Sequence, residues 1–344
     1  MSKVLIVATS KYTRGGITAV IKAQQQGEQW NRFHCKWIGY HVDRANWIKA
    51  LYYIYAFILY CIHLPFYQIV HFQFSLTTDA RRSYYFFKVA KWLGKKTIVH
   101  LHCGDQLPEK WSPMYEELFT RCDLALVLSP SIKRKVEEYI GCTHRVEVLY
   151  NPCPTINTTT PFSKREKEIL FAGTLNSNKG YSDLIKGFAK IAKKHPDWKV
   201  VFAGNGEIDK AKSLARSLGI ENQCVFLGWV NGEQKDSAFR RASVLCLASY
   251  QEGFPMAVLD AWAYAVPVVS TPAGGLIDII EEGKNGLLFG AGNIDQIAEK
   301  LETILVDTAL REHIAQESRF MAETTFNINI INHQLGDLYE ELSK

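Results

Sequence analysis

No Cys-x-x-Cys pair occurs in this 344-residue chain, although it holds eight cysteines. Cys35, Cys61, Cys103, Cys122, Cys142, Cys153, Cys224 and Cys246 are scattered among apolar runs. Scatter of that kind excludes a zinc-ribbon spacing and a compact disulfide frame, and fits reduced, buried thiols of a cytoplasmic protein. Low-complexity tracts are absent too, so a disordered or fibrous chain is excluded. Near the start, Val4-Leu5-Ile6-Val7-Ala8 is too short for the apolar region of a signal peptide and reads as a buried first strand. The sequon at Asn157-Thr158-Thr159 is therefore expected to stay unmodified. Nor do basic and aromatic residues interleave in the manner of a nucleic-acid site, so no nucleic-acid partner is expected.

What the chain does have is apolar content of 47% and a charged fraction of 22%, the values of a soluble globular protein. Its length favours two domains. Charge is divided unevenly: residues 1–155 carry 20 Lys+Arg against 11 Asp+Glu, and the remainder 20 against 24. A basic first half points to a polyanionic partner there, an anionic membrane or a phosphorylated acceptor.

Short apolar runs alternate with amphipathic stretches in that half. Strands are expected at 3–8, 35–39, 68–72, 97–102, 124–128 and 146–149, and helices at 17–29, 84–93 and 131–139. The pattern lapses across Asn151-Pro-Cys-Pro and the Thr-rich run to Pro161, which places a linker at about 151–167. It then restarts, with strands at 168–173, 198–203, 225–227, 244–248, 266–270 and 287–289. Helices follow at 181–193, 209–218, 256–264 and 294–305. A last helix aligns Ile331, Leu335, Leu338 and Leu342 on one stripe that must dock on something. Strand–helix alternation of this kind predicts two α/β, Rossmann-like domains: 1–155, 156–325, and a helix at 326–344 that packs back on the first. Ile48–Leu64 stands apart, apolar nearly all round and rich in tyrosine. It reads as a buried helix. The alternative is an interfacial helix with Arg81, Arg82, Lys88, Lys91, Lys95 and Lys96 nearby in sequence.

Candidate chemistry concentrates in Ser249-Tyr250-Gln251-Glu252-Gly253-Phe254-Pro255-Met256-Ala257-Val258-Leu259-Asp260-Ala261. Two carboxylates eight positions apart bracket a tight turn and a helix start. One acid is aimed from the loop and the other from about two turns into the helix, with unpaired first-turn amides between them. That layout suits a sugar hydroxyl at one acid, a diphosphate on the amides and a ribose diol at the other. Lys179 follows a strand and loop and can neutralise a leaving diphosphate. Gly204 and Gly206 permit close approach of backbone to ligand. Thr13-Arg14-Gly15-Gly16-Ile17 joins the first strand to the first helix. His102, in Leu101-His102-Cys103-Gly104-Asp105, ends a strand. His71, read as ending the preceding strand, and His100, read as facing the opposite side, are its rivals.

Together these motifs resemble the family-4 retaining glycosyltransferases, whose GT-B fold has two facing Rossmann-like domains with an inter-domain cleft. The resemblance covers nearly the whole chain and is strongest from Glu168 to Phe289. It is carried by Glu252-x7-Asp260, Gly173-x5-Lys179-Gly180, Ala203-Gly204-Asn205-Gly206 and Phe226-Leu227-Gly228-Trp229-Val230. It implies that Glu252 and His102 act at the reacting sugar. Gly253, Phe254, Pro255 and Met256 would meet the sugar and diphosphate through their amides, and Asp260 would hold the ribose. Trp229 and Val230 would read the base through backbone, and Gly15 and Gly16 would form a glycine loop over the donor. Two positions depart from the family: Asp260 replaces the usual glutamate, and Thr174 stands where an arginine is usual. The chain contains no Asp-x-Asp, the metal-holding pair of the other glycosyltransferase fold, so no metal and no cofactor beyond the nucleotide-sugar donor are expected.

The function implied is transfer of a hexosyl or N-acetylhexosaminyl group from a nucleotide-diphosphate sugar to a glycan or lipid-linked acceptor. Its expected setting is bacterial surface polysaccharide assembly at the inner face of the cell membrane. The alternatives are a sugar-nucleotide 2-epimerase of the same fold and a non-catalytic partner subunit.

Overall fold

The computed structural model describes residues 2–75, 77–103, 107, 112–141, 144–156 and 159–344. Cys142, Gly104, Asp105 and the first two residues of the sequon lie outside them. The chain divides into two compact units, 1–152 with 328–344, and 153–327.

The first unit is a six-stranded parallel sheet of β1 (Val4–Ala8), β2 (Lys36–Gly39), β3 (Ile69–Phe74), β4 (Lys96–Leu101), β5 (Leu124–Val127) and β6 (Val146–Val148). Its order is β2-β1-β3-β4-β5-β6. Strands buried on both faces carry near-continuous apolar runs rather than alternation, and β1, Val-Leu-Ile-Val-Ala, is buried throughout. The crossovers are α1 (Gly16–Gln24) with α2 (Glu28–Arg32), α3 (Asn46–His63), α4 (Thr77–Trp92), α5 (Pro113–Arg121) and α6 (Pro130–Ile140). Local chemistry sets several of their ends. Ser129 accepts a hydrogen bond from the Ile132 amide ahead of Pro130, and Gly141, at φ 82°, stops the helix.

The second unit is also a six-stranded parallel sheet, in the order β12-β11-β10-β7-β8-β9. It runs β7 (Glu168–Ala172), α7 (Tyr181–Ile191), β8 (Lys199–Ala203), α8 (Ile208–Ser217), β9 (Cys224–Gly228), α9 (Gly232–Arg241), β10 (Val244–Leu247), α10 (Met256–Ala263), β11 (Val268–Ser270) and β12 (Leu287–Leu288). Then come α11 (Ile294–Val306) and α12 (Thr308–Glu323). Asp307 both ends α11 and caps α12 by accepting from the Leu310 amide, which is how two helices follow each other with one residue between. The final helix, α13 (Ile328–Leu342), belongs to the first unit. Its Ile331, Leu335, Leu338 and Tyr339 join Val4, Ile6, Ile69 and Ile98 in that unit's core. Each fully buried aliphatic side chain of this kind contributes about 1.5–3 kcal/mol.

Three expectations need correction. His71 lies in the middle of β3, which continues to Phe74, and does not end it. His100 does not face away from His102, because residues two apart on a strand share a side, and their rings lie 4.2 Å apart. Finally, α3 is not a buried helix: only Ala56 and Tyr60 along its length are buried.

Candidate active site

In the second unit β7 sits beside β10, and the chain leaves the two strands in opposite directions across the sheet. Such a switch point opens a crevice beyond the carboxyl ends of the two strands, where ligands of open parallel sheets bind. The loops there hold Lys179 and Glu252. Lys179 closes a short 3₁₀ turn (Ser177–Lys179) after β7, and Glu252 stands between β10 and α10. Their side chains form an ion pair, Nζ to Oε1 at 2.5 Å, with the Glu252 carboxylate 10% exposed.

Both loops are held before any ligand arrives. Asn178 accepts from the Tyr250 amide through its carbonyl and donates its Nδ2 to the Gln251 carbonyl at 3.1 Å. Tyr250 also donates its hydroxyl to Asp183 on α7 at 2.8 Å. Gly180 adopts φ +63°, and a Cβ there would lie 2.0 Å from the Ala248 carbonyl oxygen, so any larger residue would push the two loops apart. On the far side of Glu252, Gly274 at φ +61° packs against the Gly253 carbonyl, which accepts from the Gly275 amide at 2.8 Å. Phe254 anchors the turn by burying its ring against Trp262 and Phe326.

The helix that follows has Pro255 as its N-cap, with no side-chain cap and no acidic residue in the first turn. Its Met256 and neighbouring amides therefore present an uncompensated positive pole, suited to phosphate. Asp260 lies in the buried face of α10, and Lys235 from α9 donates to its Oδ1 at 2.7 Å. Burial pushes the Asp260 carboxyl above its usual range, against the pull of Lys235. Gly204 follows β8, whose loop pairs with the loop carrying exposed Thr174 through the Leu175 amide and the Asn205 carbonyl at 2.7 Å. Trp229, 44% exposed, and Val230 follow β9. Every donor-binding residue expected in this half thus lies along the carboxyl edge of one sheet or, for Asp260, within the helix that starts there.

In the first unit, Gly15 caps α1 at the carboxyl end of β1, with φ 154°, and Gly16 opens the helix. His102, just past β4, bonds Gln73 Oε1 through Nε2 at 3.0 Å. Gln73 commits its Nε2 to Gln24, so its carbonyl accepts from His102, and the Nδ1 of His102 is left as an acceptor. Burial lowers the His102 pKa to about 3, so the ring is neutral near pH 7. His71 and His100 are fully buried, bonded to each other and, at His71 Nδ1, to Tyr339 Oη, and so serve the core.

Three features escaped the sequence reading. Lys235 lies in a mostly polar helix that carries no strong pattern. Gly274-Gly275 directly after Thr271-Pro272-Ala273 is a glycine pair beyond a strand, a signal the sequence does contain. The third is a cavity of ≈ 650 Å³ in the first unit, lined by Tyr12, Arg14, Asp43, Arg44, Ile48 and Tyr52 among others.

Comparison with known proteins gives a family for the second part of the chain. Residues 154–321 match the family described as glycosyl transferases group 1. These residues are a glycosyltransferase group 1 domain, the domain of a class of transferase enzymes. An uncharacterized glycosyltransferase of Methanocaldococcus jannaschii is 37% identical over 155 residues, 45% of this chain and 40% of that protein. A second relative, from Campylobacter jejuni, is the GalNAc-alpha-(1->4)-GalNAc-alpha-(1->3)-diNAcBac-PP-undecaprenol alpha-1,4-N-acetyl-D-galactosaminyltransferase. It is 30% identical over 240 residues, 67% of this chain and 65% of that protein. The match therefore spans less than two thirds of either relative's own length. Among solved structures, Anabaena HepE in complex with UDP-glucose superposes with a TM-score of 0.79 at 20% identity, covering 99% of this chain and 100% of that one. That likeness gives the fold: α/β, with two Rossmann-like sheets of the GT-B type. The group 1 domain begins just after Pro152, where the first segment of the first unit ends, and carries the Lys179–Glu252 pair.

Proposed function

We propose that the chain is a family-4 retaining glycosyltransferase. It takes a hexosyl or N-acetylhexosaminyl group from a nucleotide-diphosphate sugar, UDP-linked by analogy with the HepE complex. The acceptor is a glycan or a lipid-diphosphate-linked sugar, as in the name of the Campylobacter relative. The setting is surface polysaccharide assembly at the cytoplasmic face of a membrane. The observation that carries this reading is the Lys179–Glu252 pair at the switch point of the group 1 domain.

In the resting site each ion of the pair satisfies the other. An arriving diphosphate competes for Lys179, which neutralises the charge that grows on the leaving group. Glu252 is then released to accept hydroxyls of the sugar. The uncapped amides at the start of α10 hold the phosphates, and Thr174 in place of arginine leaves Lys179 and these amides as the site's main counter-charge. Asp260 engages Lys235 through Oδ1 and offers Oδ2 to the ribose diol. In the first unit His102 presents a neutral ring whose Nδ1 accepts a hydrogen bond, the form suited to a sugar hydroxyl.

Retention follows if the C1–O bond to phosphate breaks while the acceptor oxygen bonds C1 on the same face. The acceptor's proton passes to the departing phosphate oxygen, so no side chain has to serve as a strong base. The reaction needs neither metal nor cofactor, and turnover should persist in EDTA. The test is Glu252→Ala: turnover should fall about 10²-fold or more, the scale for losing a positioned polar group at a reaction centre. Near-normal turnover in a folded variant would refute the assignment.

A further inference from the structure

The outward side of α3 is apolar without interruption. Trp47, Leu51, Ile54, Tyr55, Ile58 and Ile62 recur at helical spacing on one face, each between 54% and 67% exposed. No exposed position of this helix is charged. Over 18 residues the stripe runs roughly 27 Å. A solvent-facing helix side is ordinarily polar, and a contiguous apolar patch of this extent marks an interaction site.

The opposite side of the same helix is fixed to protein. Tyr53, Phe57 and Tyr60 surround Phe86 of α4 with ring centroids 4.9–5.5 Å away. Tyr53 and Tyr60 also donate their hydroxyls to the α4 carbonyls of Arg82 and Phe86. Residues 46–66 are long and apolar enough to cross a bilayer. With one flank bound along its length, however, the helix can lie in a membrane surface but not pass through it.

A second observation identifies the surface. The strands joined through α3 and α4 step across the sheet in the same direction, β2 to β3 and β3 to β4, so right-handed crossovers put both helices on one side. There α4 exposes Arg81, Tyr85, Lys88 and Trp92 along a single stripe, with Trp92 83% exposed. Two cations and two amphipathic aromatics beside a long apolar stripe are the composition of a helix pair at a lipid headgroup boundary. Residues 41–96 carry eight Lys+Arg against two Asp+Glu. A second copy of this face would bring a like-charged flank against it. A bilayer containing anionic lipid meets the stripe with acyl chains and the cations with phosphates.

We infer that the outer sides of α3 and α4 form a docking surface for an anionic phospholipid membrane, with α3 lying in the headgroup plane. The inference deepens the membrane part of the proposed function and rests on that reading only for its biological setting. The cavity with Arg14 and Arg44 also takes in Ile48 and Tyr52 of α3, so docking would bring it close to lipid-borne phosphates.

The test is co-sedimentation of the full chain with vesicles of phosphatidylcholine alone or mixed with phosphatidylglycerol, at low and high salt. Binding should favour the anionic vesicles by about tenfold or more and weaken with salt. Leu51→Glu with Ile58→Glu should abolish it, and Arg81→Glu with Lys88→Glu should erase the anionic preference, with melting temperatures unchanged in both. No vesicle binding, or binding unaltered in the Leu51/Ile58 variant, would overturn the docking surface. So would a stable dimer that the same variant dissociates. Turnover on a soluble acceptor is the separating arm. If turnover persists without vesicle binding, docking fails alone; if vesicle binding persists without turnover, the transfer reading fails alone.

Discussion

Acidification should loosen the first unit well before ordinary carboxylate titration does. His71 and His100 are buried as neutral rings in β3 and β4, with desolvation as the largest cause of their depressed pKa values; His71 falls from 6.5 to about 3. A histidine whose folded pKa is lowered binds more protons unfolded. Its stabilising effect is complete above the unfolded value and is lost as pH falls through 6.5 toward the folded value. Going from about pH 7.5 to about pH 5 should remove roughly 2 kcal/mol through His71, with His100 acting in the same direction. Peptide-resolved hydrogen exchange across 69–74 and 96–101, corrected for intrinsic rates, reads this directly, with β7 and β8 of the other unit as internal control. A loss under about 1 kcal/mol in β3 and β4 would refute the reasoning, since the rings would then be solvated or already partnered by charge.

Other outcomes follow from the group 1 domain. Gly180→Ala should lower the melting temperature and weaken donor binding, because both its positive φ and its contact with Ala248 are incompatible with a Cβ. A cost of about 1–3 kcal/mol is expected. Lys179→Met should reduce turnover by about 10²-fold or more, more strongly than it weakens binding of the nucleoside alone, as measured by steady-state kinetics and calorimetry. Lys235→Met should leave Asp260 buried without its cation and raise its carboxyl further. Nucleotide affinity should then fall as pH drops toward that raised value, and recover at higher pH, in a binding titration.

Much of this was legible because it rests on local rules. Buried parallel strands declare themselves as short apolar runs, so β1, β7 and β10 stand out in sequence. The Glu252 turn is marked by its Gly-Phe-Pro and by the helix that follows. What sequence did not carry is tertiary partnership. The all-round apolar pattern of α3 pointed to burial, yet burial depends on how many neighbours the fold supplies, and α4 covers only one side. Lys235 shows the same limit in reverse: nothing local connects it to Asp260, 25 positions away, until the sheet brings α9 and α10 together. The positions of His71 and His100 were misread for a smaller reason, a strand end placed two residues short and a period of two counted wrongly.

The central claim, that the group 1 domain holds a nucleotide-diphosphate sugar without metal, is tested most directly by thermal stability. The panel is UDP-, GDP-, ADP- and dTDP-sugars, each with and without EDTA. A ligand at about 100 times its dissociation constant should add roughly 2.7 kcal/mol, a shift of a few degrees in a unit of this size. The account expects a UDP-sugar to stand out and its shift to survive EDTA. No shift with any member of the panel, or a shift that EDTA abolishes, would contradict it.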